Sequence, residues 1–407
     1  MKIAKCRLCD SDHIHKVIDL GFHPLADTFL PEDLQLGPET SYPLHLASCQ
    51  KCGHVFTLYP VSSIDRYQKQ DYSYDSSNSQ VSVVHFKEFC DAIIQENPLT
   101  ADSLIMDIGS NVGTLLRHFK DAGYSNVLGV EPSSNISRLA VAAGIPTLNE
   151  FFNAQAAKTI KEHGAVQVLL SSNVVNHADD LRGLLRTAKD VMRSDGIFVF
   201  EVPYLLDLIQ GTAFDTIYHE HVHYYGVKPL LRCLENEGFS VHKVERLQYM
   251  CGSIRVHTRI GGTSSPEVFN LIEEEEAFNL YELSTYKAFM RRVEAVKLSV
   301  NAHLWQIRQQ GGKIIGIGAA TKGNTFLNYC RIDADLVSYI TDASPLKIGK
   351  RMPGSHIPII SDKDIDKSAT HALILPWNIA DFLKKKLGHL NLKFYVPQIE
   401  PSPHTAL

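Results

Sequence analysis

The sequence contains no uninterrupted apolar run that approaches the roughly 18 residues of a membrane-spanning helix. Its first residues, MKIAKCRLCD, also lack the apolar core of a secretory signal peptide. Because the sequence indicates neither a membrane-spanning helix nor a signal peptide, it predicts a cytoplasmic protein without a membrane partner.

A large excess of charge of either sign is missing as well. The formal net charge is -5 at pH 7 and the pI is ≈ 6.4, so the chain has no overall attraction for nucleic acid or for an anionic membrane surface. Any anionic ligand must therefore meet a local cluster of basic side chains. The 407 residues, 44% of them hydrophobic, are enough for two or three domains that each bury a core.

Cysteine is too sparse for a disulfide scaffold, since the chain has only eight. Four of them form two C-x-x-C pairs, and two such turns present four thiolates with the spacing that suits a tetrahedral zinc ion. The alternative is a set of free or redox-active thiols. The remaining four cysteines are predicted to be core residues; they are Cys90, Cys233, Cys251 and Cys330. The predicted zinc ligands are Cys6, Cys9, Cys49 and Cys52.

Apolar strands alternate with helical segments from about residue 100, through SLIMDIG, NVLGVEP, VQVLLSS and GIFVFEVP. This alternation predicts a parallel, doubly wound α/β sheet. The apolar periodicity of residues 267–310 predicts one continuous helix, in which the run Glu273 to Glu276 forms a solvated face. KIIGIGAATKGNTFLNYC then begins a second, smaller Rossmann-like unit. The predicted segments are a zinc module at 1–70, a central domain at 71–265, a connecting helix at 266–310 and a C-terminal domain at 311–407.

The segment MDIGSNVG, residues 106–113, ends the first of these strands and has the glycines that let a backbone approach a nucleotide. Glu131 closes the next strand, where it can bind ribose hydroxyls, so the pattern suits both NAD and S-adenosylmethionine. Asp107 favours S-adenosylmethionine, because an acid would repel a pyrophosphate but can receive the ammonium of a methionine moiety. The candidate cofactor-binding residues are Asp107, Gly109, Ser110, Asn111, Gly113, Glu131, Pro132 and Asn173.

A second glycine-rich loop, GIGAATKGN, also follows a strand and begins a helix, so its N–H groups face an anion. The later segment DASPLKIGKR gathers further cations. Together these loops predict a site for a diphosphate or a carboxylate, and a solvated basic loop is the alternative. The candidate residues are Lys322, Asn324, Lys347 and Arg351.

The stretch FDTIYHEHVHYYG, residues 214–226, concentrates titratable side chains. On one face of a strand, His219, His221 and His223 would hold a metal ion. Ordinary buried histidines are a second interpretation. The third is proton transfer, since a histidine beside a carboxylate and tyrosine hydroxyls can take a proton from a weakly acidic carbon.

The chain resembles a known family in a set of sequence blocks that occur in the same order. The blocks are C-x-x-C…C-x-x-C, D-I-G-S-N-x-G…G-V-E-P, Y-H-E-H, G-x-G-A-A-T-K-G-N and D-x-S-P-x-K-x-G-K. The family is that of the sugar-nucleotide C-methyltransferases that act at C3 of dTDP-4-keto-deoxysugars for tetronitrose and mycarose. The resemblance covers nearly the whole chain. It implies a class I methyltransferase domain between two auxiliary domains, bound S-adenosylmethionine, and a nucleotide sugar held against the N- and C-terminal domains.

The resemblance also implies the reacting groups. His221 would be the base, tuned by Glu220, with Tyr218 beside the sugar. His177 and either Tyr72 or Tyr74 would complete the site.

The chemistry follows from the ketone, which acidifies the neighbouring C3 hydrogen because the electrons left behind delocalise into an enolate oxygen. His221 would remove that proton while Tyr218 or His177 donates a hydrogen bond to the oxyanion. O- or N-methylation of a sugar nucleotide, an NAD-dependent oxidoreductase and a non-catalytic sugar-nucleotide binding protein are the alternatives. The sequence does not determine the oligomeric state.

Overall fold

The computed structural model describes residues 2–32, 39–69 and 71–397. The N-terminal part forms a small antiparallel sheet in which β1, β3 and β4 are neighbours. β3 is mostly buried and β4 is buried at all three positions, so the core of this module lies under them. The elements are β1 Ile14–His23, β2 Leu30–Pro31, β3 Tyr42–Cys49, β4 Val55–Thr57 and α1 Ser63–Tyr67, followed by α2 Gln80–Glu96.

The central domain contains a seven-stranded sheet in the order β11-β12-β9-β8-β5-β6-β7. The predicted parallel, doubly wound arrangement is confirmed from β7 to β9, and β12 and β11 then add antiparallel strands. β5 and β6 are buried at every position, as expected for parallel strands that helices cover on both faces. The elements are β5 Ile105–Ile108, α3 Thr114–Asp121, β6 Val127–Val130, α4 Ser134–Ala142, β7 Thr147–Leu148, α5 Ala156–Glu162, β8 Val166–Ser172, α6 Leu181–Val191, β9 Met192–Pro203, α7 Leu205–Gln210, β10 His223–Tyr224, α8 Val227–Asn236, β11 Phe239–Leu247 and β12 Ser253–Ile260.

The prediction of one unbroken helix over 267–310 is wrong. The segment forms two helices, α9 Val268–Ala277 and α10 Leu283–Gln309. Asn279 separates them with a φ of 61°, a left-handed conformation that a helix cannot contain. In the described parts of the chain, no helix combines the length and the apolar character required to cross a bilayer.

The prediction of a solvated acidic face is also wrong for one of its four residues. Glu273 is exposed, but Glu275 is fully buried. Its Oε1 accepts the amide of Val227 at 2.5 Å, and its Oε2 accepts the amide of Lys228 at 3.2 Å and the hydroxyl of Tyr281. Glu275 therefore caps the first turn of α8, where unpaired N–H groups favour a carboxylate.

The C-terminal domain is a five-stranded parallel sheet in the order β16-β14-β13-β17-β18. The predicted strand-loop-helix unit is confirmed as β13 followed by α11. The elements are β13 Ile314–Ile317, α11 Thr321–Cys330, β14 Ile340–Asp342, β15 Lys350–Arg351, β16 Ile359–Ser361, β17 His371–Ile374, α12 Ala380–Leu387 and β18 Lys393–Tyr395.

Two strand pairings join parts of the chain that are distant in sequence. β10, from the histidine-rich stretch, adds to the N-terminal sheet with His223 opposite Phe56 and Tyr224 opposite Val55. β15 pairs with β2 through Arg351 opposite Leu30. The N-terminal module is therefore bound by backbone hydrogen bonds to both of the other domains.

Replacing Glu275 by alanine should destabilise the protein by about 2 to 3 kcal/mol, because buried amides of α8 lose a charged acceptor. The free energy of unfolding in urea measures this. Glu273→Ala, an exposed position on the same helix, is the control and should change the value by less than about 0.5 kcal/mol. Equal values for the two variants would rule out the capping role.

Candidate active site

A cavity of about 1230 Å³ lies between the N-terminal module, the central sheet and the C-terminal domain. The carboxyl ends of β5, β6 and β8 form one wall, and the loop after β13 forms another. Most of the residues predicted from the sequence share this cavity. Those that line it are Tyr72, Tyr74, Asp107, Gly109, Ser110, Asn111, Glu131, Pro132, Asn173, His177, Tyr218, Glu220, His221, Lys322 and Lys347.

Three predicted site residues do not line the cavity. Gly113 starts α3 in a left-handed conformation, with a φ of 78°. Asn324 is buried and donates its side-chain amide to the carbonyl of Ala26. Arg351 lies in β15 and contacts the carbonyl of His356 at 3.5 Å. In this structure all three hold the fold together.

The loop after β5 is shaped for close approach by a ligand. Gly109 has a φ of 65°, and a Cβ there would lie 2.4 Å from a methyl group of Val174, so no other residue fits. Asn111 replaces the middle glycine of the motif and takes a φ of 51°, which asparagine tolerates. Its side chain accepts the amide of Ser76 at 2.9 Å and donates to the carbonyl of Tyr74 at 3.0 Å. The substitution thus ties the tyrosine-bearing loop to the cofactor loop.

Buried polar atoms without partners lie around this loop. Asp107 Oδ1 and Asn173 Oδ1 have no hydrogen-bond partner among the described residues. Burial raises the pKa of Asp107 to about 8, and the charges of Glu131 and Glu201 add to the effect. Such groups favour a cationic or hydrogen-bonding ligand, and they therefore fit the ammonium of S-adenosylmethionine.

Glu131 is held by the loop itself. Its two oxygens accept the amides of Asn111 at 3.1 Å and Ser133 at 2.8 Å. Burial raises its pKa, while these hydrogen bonds lower it. The carboxyl is therefore fixed beside the cavity at the end of β6.

The histidine-rich stretch does not form the strand that a metal-binding face would need. His219 and Glu220 lie in a turn, and of the three histidines only His223 is in a strand. His223 Nδ1 contacts His54 Nε2 at 2.9 Å and its Nε2 contacts the carbonyl of Ala178 at 2.9 Å. Within the described ranges, the four cysteines are the one cluster able to hold a metal ion. His219 and His223 are therefore buried structural residues.

His221 and His177 face each other in the cavity wall, with ring centroids 5.0 Å apart. The ring of Tyr218 lies 3.9 Å from that of His221. Burial lowers the pKa of His221 to about 3 and that of His177 well below its ordinary value, so both rings are neutral. No hydrogen bond between the Glu220 carboxyl and the His221 ring is found in the part of the chain that the structure describes.

The hydroxyl of Tyr67 contacts His177. It lies 2.8 Å from His177 Nδ1, and the two rings stack. Burial raises the pKa of Tyr67 well above its usual value, so the hydroxyl is protonated and able to donate to Nδ1. With Nδ1 as the acceptor, the proton of His177 is on Nε2, which has no partner within the described residues.

Glu220 is buried at the same place, with Oε2 unpartnered among the described residues. Burial and, after it, the charge of Asp27 raise its pKa to about 7, while Arg66 opposes this shift. Arg66 is engaged elsewhere, since it donates to the carbonyls of His177 and Glu220 at 3.2 Å each and to Asp179 at 2.7 Å. The backbone of both site residues is thus anchored to α1.

The two tyrosines of the loop before α2 differ in their surroundings. The ring of Tyr72 lies 5.4 Å from that of Tyr67, and burial raises the pKa of Tyr72, with the charges of Asp27 and Glu220 adding to this. Tyr74 instead hydrogen-bonds toward Ser82 and Tyr249. Tyr72 is therefore the tyrosine of this loop that belongs with His177 and Glu220.

The predicted cations of the C-terminal domain are already partly paired. Lys322 Nζ lies 3.0 Å from Cys251 Sγ, 3.5 Å from Asp215 and 4.0 Å above the ring of Trp377. Lys347 Nζ donates to the carbonyl of Ala319 at 2.8 Å. Both side chains are fixed at the cavity wall, and Asp215 offsets the charge of Lys322.

Arg66, Tyr67 and Asp27 also lie around the predicted site residues, and none of them was predicted from the sequence. Arg66 and Tyr67 stand in a short helix with no motif around them, and Asp27 lies in a segment between strands. Their positions depend on contacts with residues more than 40 positions away. No local pattern could have indicated them.

The four paired cysteines form the predicted metal site. Cys6 and Cys52 have their sulfurs 3.6 Å apart, as do Cys9 and Cys49, and all four lie within 4.8 Å of one another. Sulfur atoms at the corners of a tetrahedron with Zn–S bonds of about 2.3 Å lie about 3.8 Å apart. All four are free thiols, and the amide of Leu8 donates to Cys6 Sγ at 3.4 Å. The donor set and its geometry fit zinc.

Three known families match consecutive parts of the chain. They are a zinc binding domain over residues 6–67, a methyltransferase domain over residues 83–244 and a C-methyltransferase C-terminal domain over residues 249–394. The C-methyltransferase NovU of Streptomyces niveus is 30% identical over 410 residues, which cover 98% of this chain and 96% of NovU. This match extends through all three parts of the fold.

Two solved structures match the central part. An S-adenosylmethionine-dependent methyltransferase from Clostridium acetobutylicum is 13% identical with a TM-score of 0.36, covering 44% of this chain and 92% of its own. The magnesium protoporphyrin IX methyltransferase ChlM of Synechocystis is 14% identical with a TM-score of 0.35, covering 45% of this chain and 88% of its own.

Cys49→Ser should reduce bound zinc from about one ion per chain toward none, because a serine cannot supply the fourth thiolate. Elemental mass spectrometry of the purified protein measures the zinc, and calorimetry should show a lower unfolding temperature. Cys90→Ser, a buried cysteine of α2 outside the cluster, is the control and should keep its zinc. A wild-type protein that folds fully without zinc would contradict this assignment.

Without ligand, the protonated Asp107 carboxyl should contribute a loss of stability as the pH rises from 5 to 8, and Asp107→Asn should therefore fall less, or rise more, in stability over this range than the wild type. The pKa of Asp107 is raised by folding to about 8, so the stabilisation from its protonated form is complete below the unfolded pKa near 4 and disappears as the pH passes about 8. Scanning calorimetry at several pH values measures the slope. The exposed Asp102→Asn should keep the wild-type slope; an unchanged slope in Asp107→Asn would exclude this role.

Proposed function

The chain belongs to the C-methyltransferase family, and on that premise we propose that it methylates C3 of a nucleotide-linked 4-keto-deoxysugar through an enolate. Its class I S-adenosylmethionine-dependent methyltransferase fold, its cofactor and its structural zinc, all predicted from the sequence, are confirmed. One observation carries the proposal further. The cofactor loop, the His177–His221 pair and the lysines of the C-terminal domain all line one cavity.

The cofactor would lie across the carboxyl ends of β5, β6 and β8. Asp107 and Asn173 have the unpartnered oxygens for its ammonium group, and Glu131 stands where ribose hydroxyls are bound. Gly109 leaves room for its close approach. When bound, S-adenosylmethionine supplies an electrophilic methyl group.

His221 is the proposed base. Because burial lowers its pKa to about 3, the ring is in its unprotonated, proton-accepting form throughout the physiological range. Protonation becomes favourable only beside a new negative charge, and the enolate that forms on the adjacent sugar provides it. Proton removal and charge formation are therefore coupled, and the buried base does not take a proton from water beforehand.

His177 is the proposed donor to the enolate oxygen. In the proposed tautomer Tyr67 donates to Nδ1, and His177 presents an N–H at Nε2, an atom with no partner among the described residues, within a buried wall of the cavity. An unpaired donor in a dry site gains more from a developing oxyanion than from a neutral ketone. Tyr218 and Tyr72 close the same wall, and Glu220 lies beside the reacting sugar.

The nucleotide would lie toward the C-terminal domain. Lys347 faces the cavity from the loop after β14 and Lys322 from the first turn of α11, and the overall charge of the protein offers an anion no other attraction. A dTDP-linked sugar is the proposed substrate. Lys347 has the freer charge, since Asp215 offsets that of Lys322.

Incubation with a dTDP-4-keto-deoxysugar in D₂O should introduce deuterium at C3, and S-adenosylmethionine should then give a C3-methylated product. His221→Asn should slow both by about 100-fold or more, because general-base catalysis contributes at least that much. NMR and mass spectrometry of the sugar measure exchange and methylation. GDP- and CDP-linked sugars test the nucleotide, and the exposed His163→Asn is the control.

Methylation of oxygen or nitrogen without exchange at carbon would disprove the enolate route. Exchange that survives in His221→Asn but is lost in Glu220→Gln would move the role of base from His221 to Glu220. Calorimetry must show that each variant is folded.

A further inference from the structure

Asp27 occupies a junction of all three parts of the chain. It lies between β1 and β2, and its side chain is buried. Its Oδ1 accepts the hydroxyl of Ser73, from the tyrosine-bearing loop, at 2.7 Å and the hydroxyl of Thr321, the first residue of α11, at 3.1 Å. The preceding carbonyl, that of Ala26, accepts the side-chain amide of Asn324, also in α11. One short segment therefore joins the tyrosine-bearing loop to the start of α11, and Ser73 and Thr321 both line the cavity.

The second oxygen of Asp27 has no such partner. Among the described residues, Asp27 Oδ2 and Glu220 Oε2 are both buried and both without a hydrogen bond. The backbone of Asp27 donates a hydrogen bond to the Glu220 carboxyl, so the two residues share one site, and the charge of Asp27 adds to burial in raising the pKa of Glu220. Two carboxylates that share a buried site cannot both ionise at low cost, because each charge opposes the other and water is excluded.

The other ionisable groups around Glu220 do not relieve this repulsion. Tyr67, Tyr72, Tyr218 and Tyr224 surround it, and all are kept protonated by burial. Arg66 is a cation on this side, and it is occupied by Asp179 and three backbone carbonyls. The arrangement therefore favours a neutral Glu220.

We propose that Asp27 is a positioning residue that acts through Glu220: it keeps the Glu220 carboxyl protonated, so that this group donates a hydrogen bond to the enolate oxygen. The inference rests on the proposed function and extends it. Sequence analysis assigned Glu220 the tuning of His221, but the absence of a hydrogen bond between their side chains leaves Glu220 free for the oxyanion. The step is balanced, because His221 holds the proton from carbon and Glu220 keeps its own.

Asp27→Asn isolates the charge, because asparagine retains an Oδ1 that can accept from Ser73 and Thr321. Removing the anion lowers the pKa of Glu220, which then ionises at a lower pH and repels the enolate. The decline of kcat/KM at high pH should therefore move to lower pH by about one unit. The exposed Asp12→Asn of the same module is the control and should keep the wild-type profile.

Glu220→Gln supplies a donor that cannot ionise. It should retain kcat/KM within about tenfold of wild type at neutral pH and lose the decline caused by Glu220. Adding Asp27→Asn to Glu220→Gln should change the rate by less than about threefold, since the charge has no carboxyl left to act on. A multiplicative loss in the double variant, or an Asp27→Asn profile that falls equally at every pH, would show a purely structural role and overturn the proposal.

A measurement without substrate separates this inference from the proposed function. Infrared difference spectra of the wild-type protein should contain a protonated carboxyl band that titrates near pH 7, disappears in Glu220→Gln and titrates at lower pH in Asp27→Asn. A band unaffected by Asp27→Asn would refute the carboxyl pair even if methylation proceeds. If no keto sugar is methylated but the band behaves as expected, the proposed function fails and the pair stands.

Discussion

The pairing of β10 with β4 is the constraint on which the rest of the site depends. It makes the histidine-rich stretch of the central domain the edge of the N-terminal sheet. Thr57, at the end of β4, donates its amide to the carbonyl of Val222 at 3.0 Å and its hydroxyl to the carbonyl of His221 at 2.8 Å. Two hydrogen bonds from the zinc module therefore fix the backbone on which the proposed base stands. Without this pairing, a loop of this composition would leave its three histidines and its glutamate exposed to water.

Burial then determines the chemistry of the groups so placed. Desolvation is the largest cause of the pKa changes in His221, Glu220 and Asp107, and in each it favours the neutral form. A site made of neutral acids and bases has little charge of its own in the absence of ligands. The charge of the sulfonium, and in the proposed reaction those of a diphosphate and an enolate, would therefore act on it strongly, because little water is present to screen them.

Periodicity and glycine-rich loops were sufficient to predict the two Rossmann-like sheets, since strands and helices with a local hydrophobic pattern form wherever that pattern is satisfied. The paired cysteines likewise predicted the metal site from spacing alone. The pattern could not show the break at Asn279, the burial of Glu275 or the neutralisation of Lys322 by Asp215. Each of these depends on a residue from another element, and hydropathy along the chain contains no information about it. Asp27 and Tyr67 were missed for the same reason.

The position of the zinc explains why this small module can determine the geometry of the site. The Cys49–Cys52 turn connects β3 to β4, so the ion fixes the residues immediately before the strand that holds β10. Gly53 in this turn has a φ of 82°, and a Cβ there would lie 2.4 Å from the ring of Tyr281, whose hydroxyl binds Glu275. The turn is thus packed against the α9–α10 connection while the metal holds it from the other side. A module with a short sheet and a modest core has little stability with which to resist a shift in register. A metal ion held just before β4 supplies that resistance. It acts at the point where a displacement of β4, with the paired β10, would carry His221 away from His177.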